Sequence, residues 1–156
     1  MSELTAGQNA PDFTANDQDG NTVSLNQFKG KKVVLYFYPK DNTPGCTTEA
    51  CDFRDNYQGL VAKGIVVLGV SVDDEQSHQK FASKYDLPFT LIADTDKKIV
   101  EAYGVWGEKN MYGKKYMGTN RKTFLIDEHG VITHIIAKVD TKNATSQVLE
   151  LLNASA

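Results

Sequence analysis

The 156-residue chain lacks the marks of several function classes. Met1-Ser2-Glu3-Leu4-Thr5 has neither the basic nor the apolar stretch of a secretory signal, and no apolar run approaches the roughly 18 residues that span a bilayer. A cytoplasmic protein with no membrane partner is expected. Neither Gly-x-x-x-x-Gly-Lys-[Ser/Thr] nor Gly-x-Gly-x-x-Gly occurs, so phosphate-binding chemistry built on those loops is set aside. The formal net charge is −3 with acids and bases interspersed, which leaves no cationic face for a nucleic-acid partner. The three histidines, His78, His129 and His134, are too scattered to join the two cysteines in a recognisable zinc spacing. No metal and no cofactor is expected.

An apolar content of 40% over this length is enough to bury a core without covalent staples, and a single domain over 1–156 is expected. Two cysteines in a chain of a reducing compartment point to catalysis or metal binding more than to structure. Both lie in Tyr36-Phe37-Tyr38-Pro39-Lys40-Asp41-Asn42-Thr43-Pro44-Gly45-Cys46-Thr47-Thr48-Glu49-Ala50-Cys51. A run of β-branched and aromatic residues, then two prolines and a glycine, then helix-compatible residues read as strand, loop and helix. Cys46 then falls in the first helical turn, where unpaired N–H groups and the positive dipole end stabilise a thiolate. Such placement lowers a cysteine pKa from about 8.5 toward roughly 3.5 to 7.5.

Five residues along one helix amount to about 7.5 Å of rise and about 140° of rotation, which puts the Cα atoms of Cys46 and Cys51 roughly 8 to 9 Å apart. A disulfide wants about 4.4 to 6.8 Å. The helix must unwind before the two can bond. That suits a working redox couple better than a staple, although the spacing alone leaves open two unrelated thiols.

Pro39-x-x-x-Thr43-x-x-Cys46 resembles the active-site pattern of the peroxiredoxins. The wider chain resembles their peroxiredoxin Q, or bacterioferritin comigratory protein, subfamily, from Gly7-Gln8-Asn9-Ala10-Pro11-Asp12-Phe13 through the cysteine loop to Arg121-Lys122-Thr123-Phe124-Leu125-Ile126-Asp127. The resemblance implies that Cys46 attacks a peroxide and that Cys51 resolves the sulfenic acid as an intramolecular disulfide. It implies that Thr43 offers its hydroxyl to thiolate or peroxide, that Pro39 shapes and shields the loop, and that Arg121 fixes thiolate and substrate. Gly45 and Cys46 add backbone N–H donors to the substrate site. Glu49 also matches a family position, yet it reads equally well as a partner of the helix dipole. Thioredoxin, or a glutaredoxin, is the implied reductant, and a monomer the implied state.

Elsewhere, Phe13 to Leu25 reads as a hairpin turning at Asp17-Gln18-Asp19-Gly20-Asn21, and Val33 to Tyr38 as a strand buried on both faces. Thr47 to Lys63 reads as one helix with Phe53, Tyr57, Leu60 and Val61 inward and Gly64 as its stop. Ile65 to Val72 reads as a strand, Asp73 to Tyr85 as a helix with Phe81 and Tyr85 inward, Thr90 to Ala93 as a strand, and Asp94-Thr95-Asp96 as the cap of a helix through Tyr103. His78 is expected to be a solvated or partly covered side chain. Residues 104 to 120 show no period and read as a long surface loop, whose Trp106, Met111, Tyr112, Tyr116 and Met117 either form a patch beside the cysteines or fold the loop onto the body. Arg121 to Asp127 and Val131 to Ala137 read as a hairpin, and Asn143 to Leu152 as a terminal helix.

This order specifies a mixed sheet covered by helices on both faces, with an N-terminal β-hairpin. The resemblance sharpens it to a thioredoxin-like fold. Two rivals to a peroxidase remain. A dithiol–disulfide oxidoreductase would be expected to carry Cys-x-x-Cys, which is absent, and a redox-switched binding protein would use the same unwinding without peroxide turnover.

Overall fold

In the computed structural model, which describes residues 4–154, the run from Val33 to Tyr38 decides the architecture. Successive strand residues point to opposite faces, so Val34, Tyr36 and Tyr38 enter one apolar cluster while Val33, Leu35 and Phe37 enter another. All six are buried. The strand therefore needs cover on both sides, and the rest of the chain supplies it.

In chain order the strands are β1 (Thr14–Asp17), β2 (Thr22–Ser24), β3 (Lys32–Phe37), β4 (Ile65–Ser71), β5 (Thr90–Ala93), β6 (Trp106–Met111), β7 (Lys114–Thr119), β8 (Lys122–Ile126) and β9 (Ile132–Ile136). The helices are α1 (Pro44–Asp55), α2 (Tyr57–Ala62), α3 (Glu75–Tyr85), α4 (Lys98–Ala102) and α5 (Ala144–Ala154), with a 3₁₀ turn at Leu25–Phe28. Seven strands form a mixed sheet in the order β2-β1-β5-β4-β3-β8-β9, and β6 and β7 form a separate two-stranded ribbon. Strand β3 runs parallel to β4 and antiparallel to β8. Phe53, Leu60, Phe81 and Val148 bring α1, α2, α3 and α5 onto one face, and Ile99 and Val100 bring α4 onto the other. The expected mixed sheet with helices on both faces and a β1–β2 hairpin is what forms.

Local chemistry explains the boundaries. Asp74 caps α3 by accepting from the Ser77 N–H at 2.8 Å, and Asp86 ends that helix in the left-handed conformation. Asp94 accepts from the N–H groups of Ile99 and Val100, so it caps α4 from a buried position. Tyr36 lies over Gly69, its register partner on β4, where a Cβ would come within 2.9 Å of the tyrosine ring. Each large apolar side chain buried this way contributes roughly 1.5 to 3 kcal/mol.

Three expectations need correction. The helix expected over 47 to 63 is two helices, because the chain leaves helical geometry at Asn56 (φ −111°, ψ 6°), and Val61 on α2 is half exposed instead of inward. Residues 106 to 119 are a hairpin and not a loop; Tyr112 (φ 53°) and Gly113 (φ 81°) supply the two left-handed residues that a tight hairpin turn requires. Trp106 packs against the core while Tyr112, Tyr116 and Met117 stay exposed, and the side chain of Met111 lies outside the described residues. His78, expected near solvent, is fully buried.

Candidate active site

Thr43 is the N-cap of α1, Pro44 takes the first helical position, and Cys46 sits in the first turn. Proline suits that position because its missing N–H would have no helical partner. The N–H groups of Gly45 and Cys46 lie ahead of the first i to i−4 bond, which Thr47 makes to the Thr43 carbonyl at 2.8 Å. Cys46, Glu49, Ala50 and Phe53 are the buried residues of α1, a stripe of helical spacing that faces β3. Cys46 is 1% exposed.

Arg121 arrives from the far side of the sequence. Phe37, the last residue of β3, is register partner to Lys122, the first of β8, so the residue before β8 stands beside the start of the loop to α1. Its Nη2 donates to Cys46 Sγ at 3.1 Å and its Nη1 to Glu49 Oε1 at 2.6 Å. Gly45 makes room for it: a Cβ there would lie 3.2 Å from Nη2. One guanidinium thus serves a thiol and a carboxylate, a geometry that suits arginine and not lysine.

An ion pair this short ordinarily holds a carboxyl low, yet Glu49 is pushed up to about 7. Burial is the main cause. The Arg121 charge and hydrogen bond oppose it but do not overcome it, since Glu49 Oε2 is buried without any hydrogen-bond partner among the described residues. Lys109 of β6 donates to the Thr119 carbonyl at 2.8 Å. Partial burial, then the Arg121 charge, lower its pKa, with Cys46 acting the other way.

Thr43 Oγ1 donates to the Lys40 carbonyl at 2.8 Å and not to Cys46, which leaves its lone pairs to accept a hydrogen bond from a ligand. Pro39 is half-buried in the β3–α1 loop. Cys51 lies on α1, off the buried stripe and half-buried, and both thiols are free. Thr43, Gly45, Cys46 and Arg121 are therefore brought together, and Cys51 lies about 1.4 turns away on an intact helix. Glu49 and Lys109 are the members that sequence reasoning left undecided or missed. A glutamate inside the stripe Cys46-x-x-Glu49-Ala50-x-x-Phe53 was the available signal for the first; for the second there was none while the hairpin was unread.

The AhpC/TSA family profile matches residues 6–135. A putative peroxiredoxin bcp of Coxiella burnetii is 52% identical over 146 residues, covering 94% of this chain and 97% of that protein. The peroxiredoxin Bcp of Bacillus subtilis is 48% identical, covering 96% and 95%. Among solved structures, a Xanthomonas campestris bacterioferritin comigratory protein, studied for its alkyl peroxide reduction activity, superposes with a TM-score of 0.88 at 36% identity, covering 97% of this chain and 99% of that one.

Proposed function

The chain belongs to the AhpC/TSA family, in its Bcp or peroxiredoxin Q branch, and is a thiol peroxidase; from that premise we propose that Cys46 is the nucleophile and Cys51 the resolving thiol. The observation that carries the assignment is the Arg121 guanidinium 3.1 Å from a thiol in the first turn of a helix. The Cys46 thiolate attacks the terminal oxygen of a hydroperoxide. An S–O bond forms, the O–O bond breaks, and the departing alkoxide takes a proton from solvent, leaving an alcohol or water and a Cys46 sulfenic acid. Arg121 holds the thiolate and faces the charge that develops on the peroxide oxygens, the N–H groups of Gly45 and Cys46 donate there too, and Thr43 Oγ1 accepts a hydrogen bond from the hydroperoxide O–H, whose proton stays on the transferred oxygen. Pro39 keeps water from the sulfur.

The Cys51 thiol then attacks the sulfenic sulfur, forming the disulfide and releasing water. A dithiol of the thioredoxin class restores both thiols by exchange. We assign the cycle to a monomeric, single-domain protein over 1–156 working in the cytoplasm on hydrogen peroxide and organic hydroperoxides. Relatives named as peroxiredoxins do not favour a redox-switched binder without turnover.

The test is NADPH oxidation coupled through thioredoxin reductase and thioredoxin, with hydrogen peroxide and an alkyl hydroperoxide. Cys46→Ser should abolish turnover, and Cys51→Ser should consume one equivalent of peroxide and stall. Peroxide consumption by Cys46→Ser at the parent's rate would overturn the assignment.

A further inference from the structure

The most densely bonded polar group outside the site just described is Asp41, in the loop between β3 and α1. Its carboxylate accepts from Tyr38 Oη at 2.6 Å, from Ser77 Oγ at 2.8 Å, and meets His78 Nδ1 at 2.6 Å. Its backbone N–H donates to Asp73 Oδ2 at 2.8 Å, and Asp73 is itself held by Ser71 Oγ at 2.7 Å. His78 Nε2 faces the Ile92 carbonyl of β5 at 2.9 Å. A carbonyl only accepts, so Nε2 carries a hydrogen; the carboxylate, already receiving two hydroxyl donors, takes another from Nδ1. Burial alone would push the His78 pKa down, but the Asp41 hydrogen bond and charge, helped by the Ile92 carbonyl and Asp73, hold it above the ordinary histidine value. Both ring nitrogens thus face acceptors, the arrangement that suits an imidazolium donating from each.

Asp41, Asp73 and His78 bring their ligand atoms within 4.8 Å of one another, which invites comparison with a cation site. The comparison fails on chemistry. An imidazolium has no lone pair to give a metal, and the carboxylate oxygens nearest it are occupied by donors from the chain.

The cluster's position gives it a different use. Asp41 precedes Asn42, which stands in the left-handed conformation at φ 60°, one that asparagine adopts more readily than other non-glycine residues. Tyr85 Oη donates to Asn42 Oδ1 at 3.0 Å, so helix α3 grips the loop at two successive residues. Next come the Thr43 cap and Cys46. On the other side of the cysteines, Asp52 Oδ1 accepts from the Thr145 N–H at 2.8 Å, which ties α1 to α5 immediately after Cys51. The segment that must unwind for the two sulfurs to meet is thus bracketed by a grip at Asp41 and another at Asp52.

We propose that His78 is a positioning residue for peroxide reduction: bridging the Ile92 carbonyl and the Asp41 carboxylate, it fixes the 39–43 loop so that Cys46 meets Arg121 when α1 is wound, and it stops the unwinding at Asp41 when the disulfide forms. The inference rests on the Cys46–Cys51 cycle proposed above. It adds a histidine that touches neither substrate nor sulfur.

The experiment uses His78→Gln, with Phe81→Leu as a stability control from the same helix and the same core face. Amide exchange over 39–47, the pH midpoint of ultraviolet thiolate absorbance in a Cys51→Ser background, and peroxide kcat/KM are read where urea titration shows both variants folded. In His78→Gln we expect protection at 41–43 to fall about tenfold or more, the thiolate midpoint to move up, and kcat/KM to fall by about tenfold or more. In its disulfide form the loss of protection should spread back past Asp41. A purely structural histidine would match Phe81→Leu in all three readouts, and that result overturns the proposal. Should His78→Gln not fold, Ser77→Ala, which removes one hydrogen bond to Asp41, must move protection in the same direction by a smaller factor; unchanged protection there also overturns it. Failure of the peroxidase assignment would show differently, as turnover surviving Cys46→Ser.

Discussion

Replacing Glu49 by glutamine should stabilise the protein at pH 8 and do so far less at pH 5. Glu49 is buried, with one oxygen on Arg121 and the other without a hydrogen-bond partner among the described residues. Moving its carboxyl from 4.5 to about 7 means that the folded chain holds this proton more tightly than the unfolded chain does. Stability therefore falls as pH rises from about 4.5 to about 7, and the full penalty is present above that window. At about 1.4 kcal/mol per pH unit the penalty reaches about 3 kcal/mol at pH 8, against about 1 kcal/mol at pH 5. Glutamine has the same shape and never ionises. Its amide oxygen can still accept from Arg121, and whatever the weaker hydrogen bond loses is the same at both pH values. The variant's gain over its parent should thus be about 2 kcal/mol larger at pH 8 than at pH 5. Urea denaturation of the reduced proteins in a Cys46→Ser background, where no thiolate titrates beside the carboxyl, measures it. An equal gain at both pH values, or a larger one at pH 5, would show that Glu49 is ionised throughout and that Arg121 outweighs its burial.

Arg121→Ala should leave the fold intact and move the pH midpoint of thiolate absorbance upward, with peroxide kcat/KM down by about a hundredfold or more; a superimposable titration would refute the 3.1 Å contact as a source of thiolate stability. Disulfide formation should remove amide protection across 44–51 and leave residues after Asp52 protected, at an expense of a few backbone hydrogen bonds of about 0.5 to 1.5 kcal/mol each. Equal protection in the reduced and oxidised forms would mean that the sulfurs meet without unwinding. Gly69→Ala should lower stability by about 1 to 3 kcal/mol in urea titration, because its Cβ would press on the buried Tyr36 ring and on Leu91 at 2.9 Å. A neutral result would mean that the two rows of the sheet separate more easily than their packing suggests.

The cysteine loop was legible because its chemistry is local. Proline, glycine and cysteine at fixed spacing state a helix start, and nothing distant can restate it. The two-sided strand was legible for the same kind of reason, since six consecutive apolar residues admit few alternatives. The ribbon was not, because β6 and β7 mix lysines, glycines and apolar residues without a two-residue alternation and bury little; only the turn residues Tyr112 and Gly113 encode it, and tyrosine is an unusual residue for a left-handed φ. His78 was missed because a lone histidine on a polar helix looks solvated. It lies three residues before Phe81, on the same inward stripe, and its partner Asp41 belongs to a loop whose direction no periodicity reveals. Arg121 was legible through resemblance alone, since what makes it a site residue is the pairing of β3 with β8.

That pairing also sets when the site comes into being. Cys46 and Arg121 are 75 residues apart, and every helix and parallel strand between them can form while they are still strangers. Closing so long a loop carries an entropy that grows with its length, and contacts of high sequence separation are made late. On the ribosome, the thiol and its helix emerge well before the arginine. An unfinished chain therefore carries a cysteine without its guanidinium, and the partner arrives only as β8 docks. The Arg121–Cys46 contact is therefore acquired only when β8 pairs with β3.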